Sequence, residues 1–186
     1  DPLRRRILIA LNIDLVVQHV LSNVTEQNTE RLTPVFDEEN PIGATGLMRT
    51  WYTTKSCFPT TKSHISHLVG DSGWEGHAAN VFEKREDVLA YAKNDHLGFQ
   101  IYYMWAGSRR RYVPDFLVRL AGGTILALEI KGTDSPQNKA KRDALNEWVK
   151  AINAAGGFGR WAWDVAFKPG EVEDIVTKHT VAANSK

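Results

Sequence analysis

Apolar residues recur at helical spacing in four parts of the chain. Residues 3 to about 23 form the first pattern, which predicts one amphipathic helix. A second helix is predicted from the capping signal Asp71-Ser72 to about residue 85, and a third from 135 to 155, where Gly156-Gly157 ends it. Residues 171–178 predict a short closing helix.

Stretches rich in β-branched and aromatic residues predict strands around the third helix. Residues 88–93 predict a short strand, and Ala106-Gly107-Ser108 closes the longer one that follows it. The order helix, three longer strands, helix, strand predicts an α/β domain with a mixed central sheet flanked by helices. The longer predicted strands cover residues 99–105, 112–120, 125–131 and 161–167.

Residues 25–61 are polar and punctuated by proline and glycine, which predicts loops with little regular structure. Because so long an irregular stretch is unusual inside a compact domain, we expect a connector that packs against other parts of a longer protein. The chain begins with Asp1 and enters a helical pattern at once, which also indicates a piece of a longer polypeptide. We therefore predict an N-terminal helix and irregular connector (1–60) and a main domain (61–186).

Charge and cysteine content limit the classes of function. The formal net charge is +1, so a nucleic-acid partner would have to use local basic patches. The single cysteine, Cys57, excludes an internal disulfide and a multi-cysteine zinc cluster, and we expect a buried thiol in a reducing compartment. The apolar run 7–24 is interrupted by four polar residues between positions 12 and 19, which argues against a membrane span. We expect a soluble cytoplasmic protein with no membrane partner.

Three charged residues occupy positions where the predicted strands are otherwise apolar. Asp115 follows Pro114, and Glu129 and Lys131 lie two residues apart on the next strand. Since side chains alternate along a strand, Glu129 and Lys131 share one face and Ile130 points to the other. A single Glu-x-Lys is most often a solvated ion pair and Pro-Asp is most often a turn. The hypothesis of a site therefore depends on where Asp115 points.

The loop between these two strands decides which way Asp115 points. A two-residue turn would put core and charged side chains on the same face. A three-residue loop ending in a left-handed Gly123 places Asp115 opposite Glu129. The same register places Phe116 opposite Leu128, so that the large apolar side chains share the other face. We predict this second register.

Two converging carboxylates repel each other unless a cation lies between them, and oxygen ligands favour a hard ion such as Mg²⁺. We therefore predict a Mg²⁺ site formed by Asp115, Glu129 and the main-chain carbonyl of Ile130. Lys131 is placed to orient or help deprotonate a water molecule and to offset charge in a transition state. The upstream helix offers Glu75 as a further acidic residue, which we expect to take part in catalysis and to be a further ligand of the metal.

Motifs along most of the chain after residue 52 resemble one family. They are residues 61–67 (TKSHISH), 71–75 (DSGWE), 88–94, 97–101, 112–116 (YVPDF), 128–132 (LEIKG), 139, 148–149, 153 and 158–161. In these motifs the chain resembles the C-terminal PD-(D/E)xK endonuclease domain of the restriction subunit of Type III restriction-modification enzymes. The resemblance implies a restriction-endonuclease-like core and Mg²⁺-dependent hydrolysis of DNA.

The resemblance also implies roles and partners. Asp115, Glu129 and Lys131 match the nuclease motif, and Glu75 matches a further acidic residue found in related nucleases. The implied partners are double-stranded DNA, a separate modification (methyltransferase) subunit and an upstream helicase-like motor. ATP would bind only in that motor, because this chain has no G-x-x-x-x-G-K-[ST] loop.

Basic residues offer candidate contacts to DNA. Arg109, Arg110 and Arg111 lie in the predicted turn before Asp115, where they are placed to bind phosphates flanking a cut; a solvated basic turn is the alternative. Lys139 opens the helix after Lys131 and is a candidate backbone contact or part of a solvated helix face.

Histidine and aromatic residues are better explained by packing. His64, His67 and His77 lack a cysteine partner, so structural hydrogen bonds are favoured over a zinc site. Tyr102 and Tyr103 are expected to be buried in a sheet rather than to stack on bases.

Two alternatives to the Type III nuclease remain at this stage. One is a degenerate PD-(D/E)xK domain that only binds DNA or docks to a motor. The other is the nuclease of a different helicase-linked defence or repair enzyme.

Overall fold

The structure, a computed structural model, describes residues 1–27, 44–70 and 72–184. In chain order its helices and strands are α1 (Pro2–Leu11), α2 (Ile13–Gln27), β1 (Cys57–Pro59), β2 (His67–Val69), α3 (Gly73–Lys84), β3 (Val88–Lys93), β4 (Ile101–Trp105), β5 (Ser108–Tyr112), β6 (Phe116–Leu120), β7 (Thr124–Ile130), α4 (Pro136–Ala155), β8 (Arg160–Ala166) and α5 (Glu171–Asn184), with a short 3-10 turn at Thr45–Leu47.

A four-stranded sheet in the order β3-β6-β7-β8 forms the centre of the fold. The pairs β3/β6 and β6/β7 are antiparallel, whereas β7 and β8 are parallel and are joined through α4. The prediction of an α/β fold with a mixed sheet flanked by helices is therefore confirmed. β1 with β2 and β4 with β5 form two further two-stranded sheets.

The predicted register of the β6–β7 hairpin is confirmed. Phe116 lies opposite Leu128, and the loop of residues 121–123 ends in Gly123 with φ of 79°. Because a side chain is strained at positive φ, this position favours glycine. The Gly123 N–H donates to the Leu120 carbonyl at 2.9 Å and closes the loop.

Apolar side chains cover both faces of the central sheet. On one face Phe116 and Leu128 pack against Phe82 of α3 and Val176 of α5. On the other face Ala127 packs with residues of α4 and with an aromatic group formed by Phe99, Trp148 and Trp161. Glu129 lies on this second side of β7, since it alternates with Leu128.

The N-terminal region differs from the predicted single helix. α1 and α2 meet at Asn12 with a bend of 80°. The Asn12 side chain donates to the Leu8 carbonyl at 2.9 Å, and such local hydrogen bonds compete with the helical pattern. No residue of α1 is buried. Within the described ranges no single helix is long and apolar enough to span a membrane; only α1 with Ile13–Val24 passes that test, as a bent pair.

The connector is more regular than predicted where the structure describes it. Cys57 belongs to β1 and is exposed, so the expectation of a buried thiol is wrong. β1 pairs with β2 over only three residues, which is too short for a clear sequence pattern. Residues 28–43, including Pro34 and Pro41, lie outside the described residues.

The predicted strand 112–120 is in fact two strands. β5 ends at Tyr112 and β6 begins at Phe116, with Pro114 between them. Proline has no N–H to donate to a sheet and ends the first strand. Arg109, Arg110 and Arg111 therefore lie on β5, paired with β4, rather than in a turn.

Candidate active site

Asp115 and Glu129 meet where β6 begins and β7 ends. Asp115 lies one residue before β6, and its Oδ2 accepts a hydrogen bond of 2.7 Å from the Ile130 N–H. Extending the observed register by one residue places Asp115 opposite Glu129, on the side away from Phe116 and Leu128. The chain thus brings the two predicted carboxylates together.

Lys131 and Tyr112 hold the two oxygens of the Glu129 carboxylate. Lys131 Nζ forms an ion pair with Oε1, and the Tyr112 hydroxyl donates to Oε2 at 2.8 Å. Glu129 is only 6% exposed and Tyr112 only 2%. Glu129 and Lys131 are therefore in contact, as the sequence predicts. Tyr112 is a further residue of the site that the sequence analysis did not identify.

The backbone before Asp115 is fixed by Asn94, a second residue that the sequence reasoning did not assign. Asn94 is buried, its N–H donates to the Asp115 carbonyl at 2.9 Å, and its side chain donates to the Pro114 carbonyl at 3.0 Å. The same side-chain nitrogen also donates to the Phe99 carbonyl at 2.8 Å. Because β5 and β6 are interrupted here, these bonds set the position from which the Asp115 side chain extends.

Glu75 lies in the first turn of α3, which begins after the N-cap Ser72. Its Oε2 pairs with Lys93 Nζ at 3.0 Å, and the same ammonium contacts Asp95 at 3.2 Å and the Val69 carbonyl at 2.9 Å. Lys93 is only 6% exposed. Glu75 therefore belongs to a group of ion pairs around the buried Lys93 ammonium, close enough to Asp115 for its charge to raise the pKa of that carboxyl. Lys93 lies in a segment that carries the family resemblance, which was the available signal for it.

Buried negative charge dominates the electrostatics of the site. Burial, together with the neighbouring charges of Glu129 and Glu75, raises the pKa of Asp115 to about 7, against the opposing effects of the Ile130 N–H and Lys131. Burial and the charge of Glu129 also raise the pKa of the Tyr112 hydroxyl. The negative charge at Asp115 and Glu129 is thus only partly compensated, which favours binding of a cation.

The donor groups of the site suit Mg²⁺ better than they suit a metal ion that is coordinated only by protein side chains. In the described part of the chain, no three His, Cys, Asp or Glu side chains are arranged to hold a metal ion by themselves. Mg²⁺ commonly keeps several water molecules and binds through one or two carboxylates together with substrate phosphates. Asp115, Glu129 and the Ile130 carbonyl supply that kind of oxygen donor, whereas Glu75 is held by Lys93.

The arginines of β5 form an exposed basic strip on the strand that ends at Tyr112. Arg109, Arg110 and Arg111 are all exposed, and the Arg109 guanidinium lies 3.8 Å from the ring centre of Tyr102. Tyr102 is 39% exposed, so the prediction of burial is wrong for it, while Tyr103 is buried as predicted. Lys139 is exposed on the first turn of α4.

Two of the three histidines form hydrogen bonds of the kind expected. His64 Nδ1 lies 3.0 Å from the Thr45 hydroxyl, and His67 Nδ1 lies 3.1 Å from the Ser66 hydroxyl. His77 is exposed on α3. These contacts support structural roles for His64 and His67.

Comparisons with known proteins supply no relative from which a function could be transferred. No model of a known protein family, no curated protein and no solved structure matches this chain. The resemblance to Type III nuclease domains therefore stays a prediction from the sequence motifs, and function has to be inferred from the residues of the site.

Proposed function

We propose that this chain is a DNA endonuclease domain that hydrolyses phosphodiester bonds by Mg²⁺-assisted attack of water. One observation carries the proposal: Asp115 and Glu129 are held together in a largely buried position with the Lys131 ammonium in contact with Glu129. Two acidic oxygen donors and a lysine at one point are the groups that metal-assisted phosphate hydrolysis needs. The partly compensated charge at Asp115 supports the same proposal.

Each residue has a distinct task in this proposal. Asp115 and Glu129 would hold Mg²⁺ with the Ile130 carbonyl, and Glu75 would add negative charge at the edge of the site. Bound Mg²⁺ would supply a Lewis acid and lower the pKa of a coordinated water molecule. Lys131 would orient that water and offset charge that develops on the phosphate oxygens.

The finer form of the proposal is a PD-(D/E)xK nuclease domain of a Type III restriction subunit. The order α3, three antiparallel strands, α4 and the parallel strand β8 supports a restriction-endonuclease-like core. The sequence motifs support the enzyme class, with double-stranded DNA as substrate in the cytoplasm. An upstream ATP-dependent motor and a methyltransferase subunit would deliver the DNA. A nuclease of another helicase-linked defence or repair enzyme is compatible with the same site.

A domain that binds DNA or docks to a motor without cutting is the second candidate. One observation favours it: Glu129 and Glu75 each already have a lysine partner, the partly buried Lys131 and the buried Lys93. Buried ion pairs of this kind also occur in proteins without a catalytic metal. Mg²⁺-dependent cleavage separates the two candidates.

The test is nicking of supercoiled DNA by the 186-residue chain, with Mg²⁺ or with a chelator. Since the net charge is only +1, we expect weak DNA binding, so the assay needs low salt and high protein concentration. Lys131→Ala should slow cleavage by roughly 100-fold, the effect of removing one preorganised charge-stabilising group. Lys150→Ala is the matched control, because Lys150 is exposed on α4 and pairs with Glu147 of the same helix. Equal cleavage rates with and without Mg²⁺ would contradict the metal-assisted mechanism, and no cleavage alongside tight DNA binding would favour the docking domain.

We further predict that Arg109→Ala and Arg111→Ala each weaken DNA binding and reduce its salt dependence. Each lost phosphate contact should lower the slope of log K against log salt concentration by about 0.9 on duplex DNA. Arg119→Ala removes the same charge from an exposed site at the opposite end of β6 from Asp115, and should leave the slope unchanged. Fluorescence anisotropy over a salt series measures these slopes; a matching loss in all three variants would contradict a basic strip on β5.

A further inference from the structure

We infer that Tyr112 is a positioning residue that fixes the carboxylate of Glu129 for the cation; this rests on the proposed function and extends it. Tyr112 is the last residue of β5 and is 2% exposed. Its hydroxyl donates to Glu129 Oε2 at 2.8 Å, a hydrogen bond to a charged acceptor inside the protein. Such charge-assisted bonds are roughly twice as strong as neutral ones.

Tyr112 and Lys131 act on different oxygens of the same group. Lys131 binds Oε1 and Tyr112 binds Oε2, so the carboxylate is held at both ends and its rotation is restricted. An ionised carboxylate has about four acceptor positions, and these two donors use two of them. Glu129 can therefore keep both donors and still offer oxygen lone pairs to a metal ion.

Two lysine ammonium groups lie near the ring of Tyr112. Lys131 Nζ and Lys141 Nζ lie 5.9 and 5.5 Å from its ring centre, within the range of cation–π attraction. On β5 the ring belongs to the apolar cluster on the α4 side of the sheet. The hydroxyl is consequently carried on a rigid side chain, which is the property required of a group that orients a metal ligand.

Tyr103 is a buried tyrosine of the same β4–β5 hairpin that lies outside the site and serves as a comparison for Tyr112. It is 3% exposed, belongs to the same cluster as Tyr112, and accepts a 2.7 Å hydrogen bond from Gln137 Nε2. The Tyr103 hydroxyl thus contacts a neutral amide on α4, whereas the Tyr112 hydroxyl contacts a carboxylate of the site. The two residues match in type and in burial, and the hydroxyl of each forms one of these hydrogen bonds.

The experiment compares Tyr112→Phe with Tyr103→Phe in the 186-residue chain. Mg²⁺ affinity is measured by isothermal titration calorimetry and by the rise of Tm with Mg²⁺, and the Mg²⁺ dependence of nicking is measured in parallel. Tyr112→Phe should weaken Mg²⁺ binding about tenfold, the lower end of the effect of removing a hydrogen bond to a metal ligand. It should raise the Mg²⁺ concentration for half-maximal cleavage by the same factor. Tyr103→Phe should leave both unchanged.

The outcomes separate this inference from the proposed function. A wild-type chain that binds Mg²⁺ and cuts DNA, with Tyr112→Phe equal to it in Mg²⁺ affinity, overturns the inference alone. Equal weakening by both variants also overturns it, because that pattern indicates a general effect of packing. A wild-type chain that neither binds Mg²⁺ nor cuts overturns the proposed function and the inference with it. Far-UV circular dichroism and Tm without metal confirm that each variant is folded before its Mg²⁺ affinity is compared.

Discussion

Glu129→Gln and Asp115→Asn are each expected to reduce Mg²⁺-dependent DNA cleavage by at least about a thousandfold, or about 4 kcal/mol in the barrier. Each change keeps the size of the side chain and removes one of the two negative charges that would hold the cation. The amide oxygen of Asp115→Asn can still accept the bond from the Ile130 N–H, so the local backbone should stay in place. Nicking rates at saturating DNA and Mg²⁺ measure the loss.

Stability measurements distinguish this loss from unfolding. Burial and Glu129 raise the pKa of Asp115 to about 7 from 3.8, so the folded state binds the proton more tightly than the unfolded state. The contribution of Asp115 to stability therefore decreases as pH rises from about 3.8 to about 7. Asp115→Asn removes this unfavourable charge, and its Tm in metal-free buffer at alkaline pH should equal or exceed that of the wild type. A variant that loses activity only because it unfolds would instead have a much lower Tm.

Phe82→Ala is expected to reduce the free energy of unfolding by about 3–5 kcal/mol. Phe82 on α3 has no exposed surface, and its ring centre lies 5.2 Å from that of Tyr91 and 5.4 Å from that of Phe116. Truncation removes apolar contacts and leaves a cavity between α3 and the sheet. Since domains of this size are stable by only about 5–15 kcal/mol, such a loss is a large fraction of the total.

Urea denaturation followed by circular dichroism measures this change. Leu89→Ala is the matched control, because Leu89 is 52% exposed beside the irregularity in β3. Its effect should stay within about 0.5 kcal/mol. If both variants lose similar stability, Phe82 is not the centre of the contact between α3 and the sheet.

The arrangement of the site was predictable where it depends on strand alternation and loop length. Apolar alternation around Phe116 and Leu128 allows only one register, and that register carries Asp115 to Glu129. Glu129 and Lys131 lie two residues apart, so their proximity also follows from the sequence. These relations are local to one hairpin.

Relations between distant segments were not predictable in the same way. Tyr112 reaches Glu129 from β5, which pairs with β4 instead of continuing into β6, and Lys93 on β3 reaches Glu75 on α3. Pro114 was a signal for the break, but the apolar run around it favoured one long strand. At Asn12 the N-terminal helix bends by 80°, although its apolar spacing continues across the bend.

The short loop at residues 121–123 has a consequence for the order in which the chain folds. β6 and β7 are consecutive strands joined by this three-residue loop. Pairing them costs little loop-closure entropy, so Asp115 and Glu129 can come together easily. β8 pairs in parallel with β7 only after the crossover through α4, a contact of longer sequence separation that forms more slowly. We therefore expect the two carboxylates to approach each other early in folding, before β8 joins the sheet and α5 packs against it.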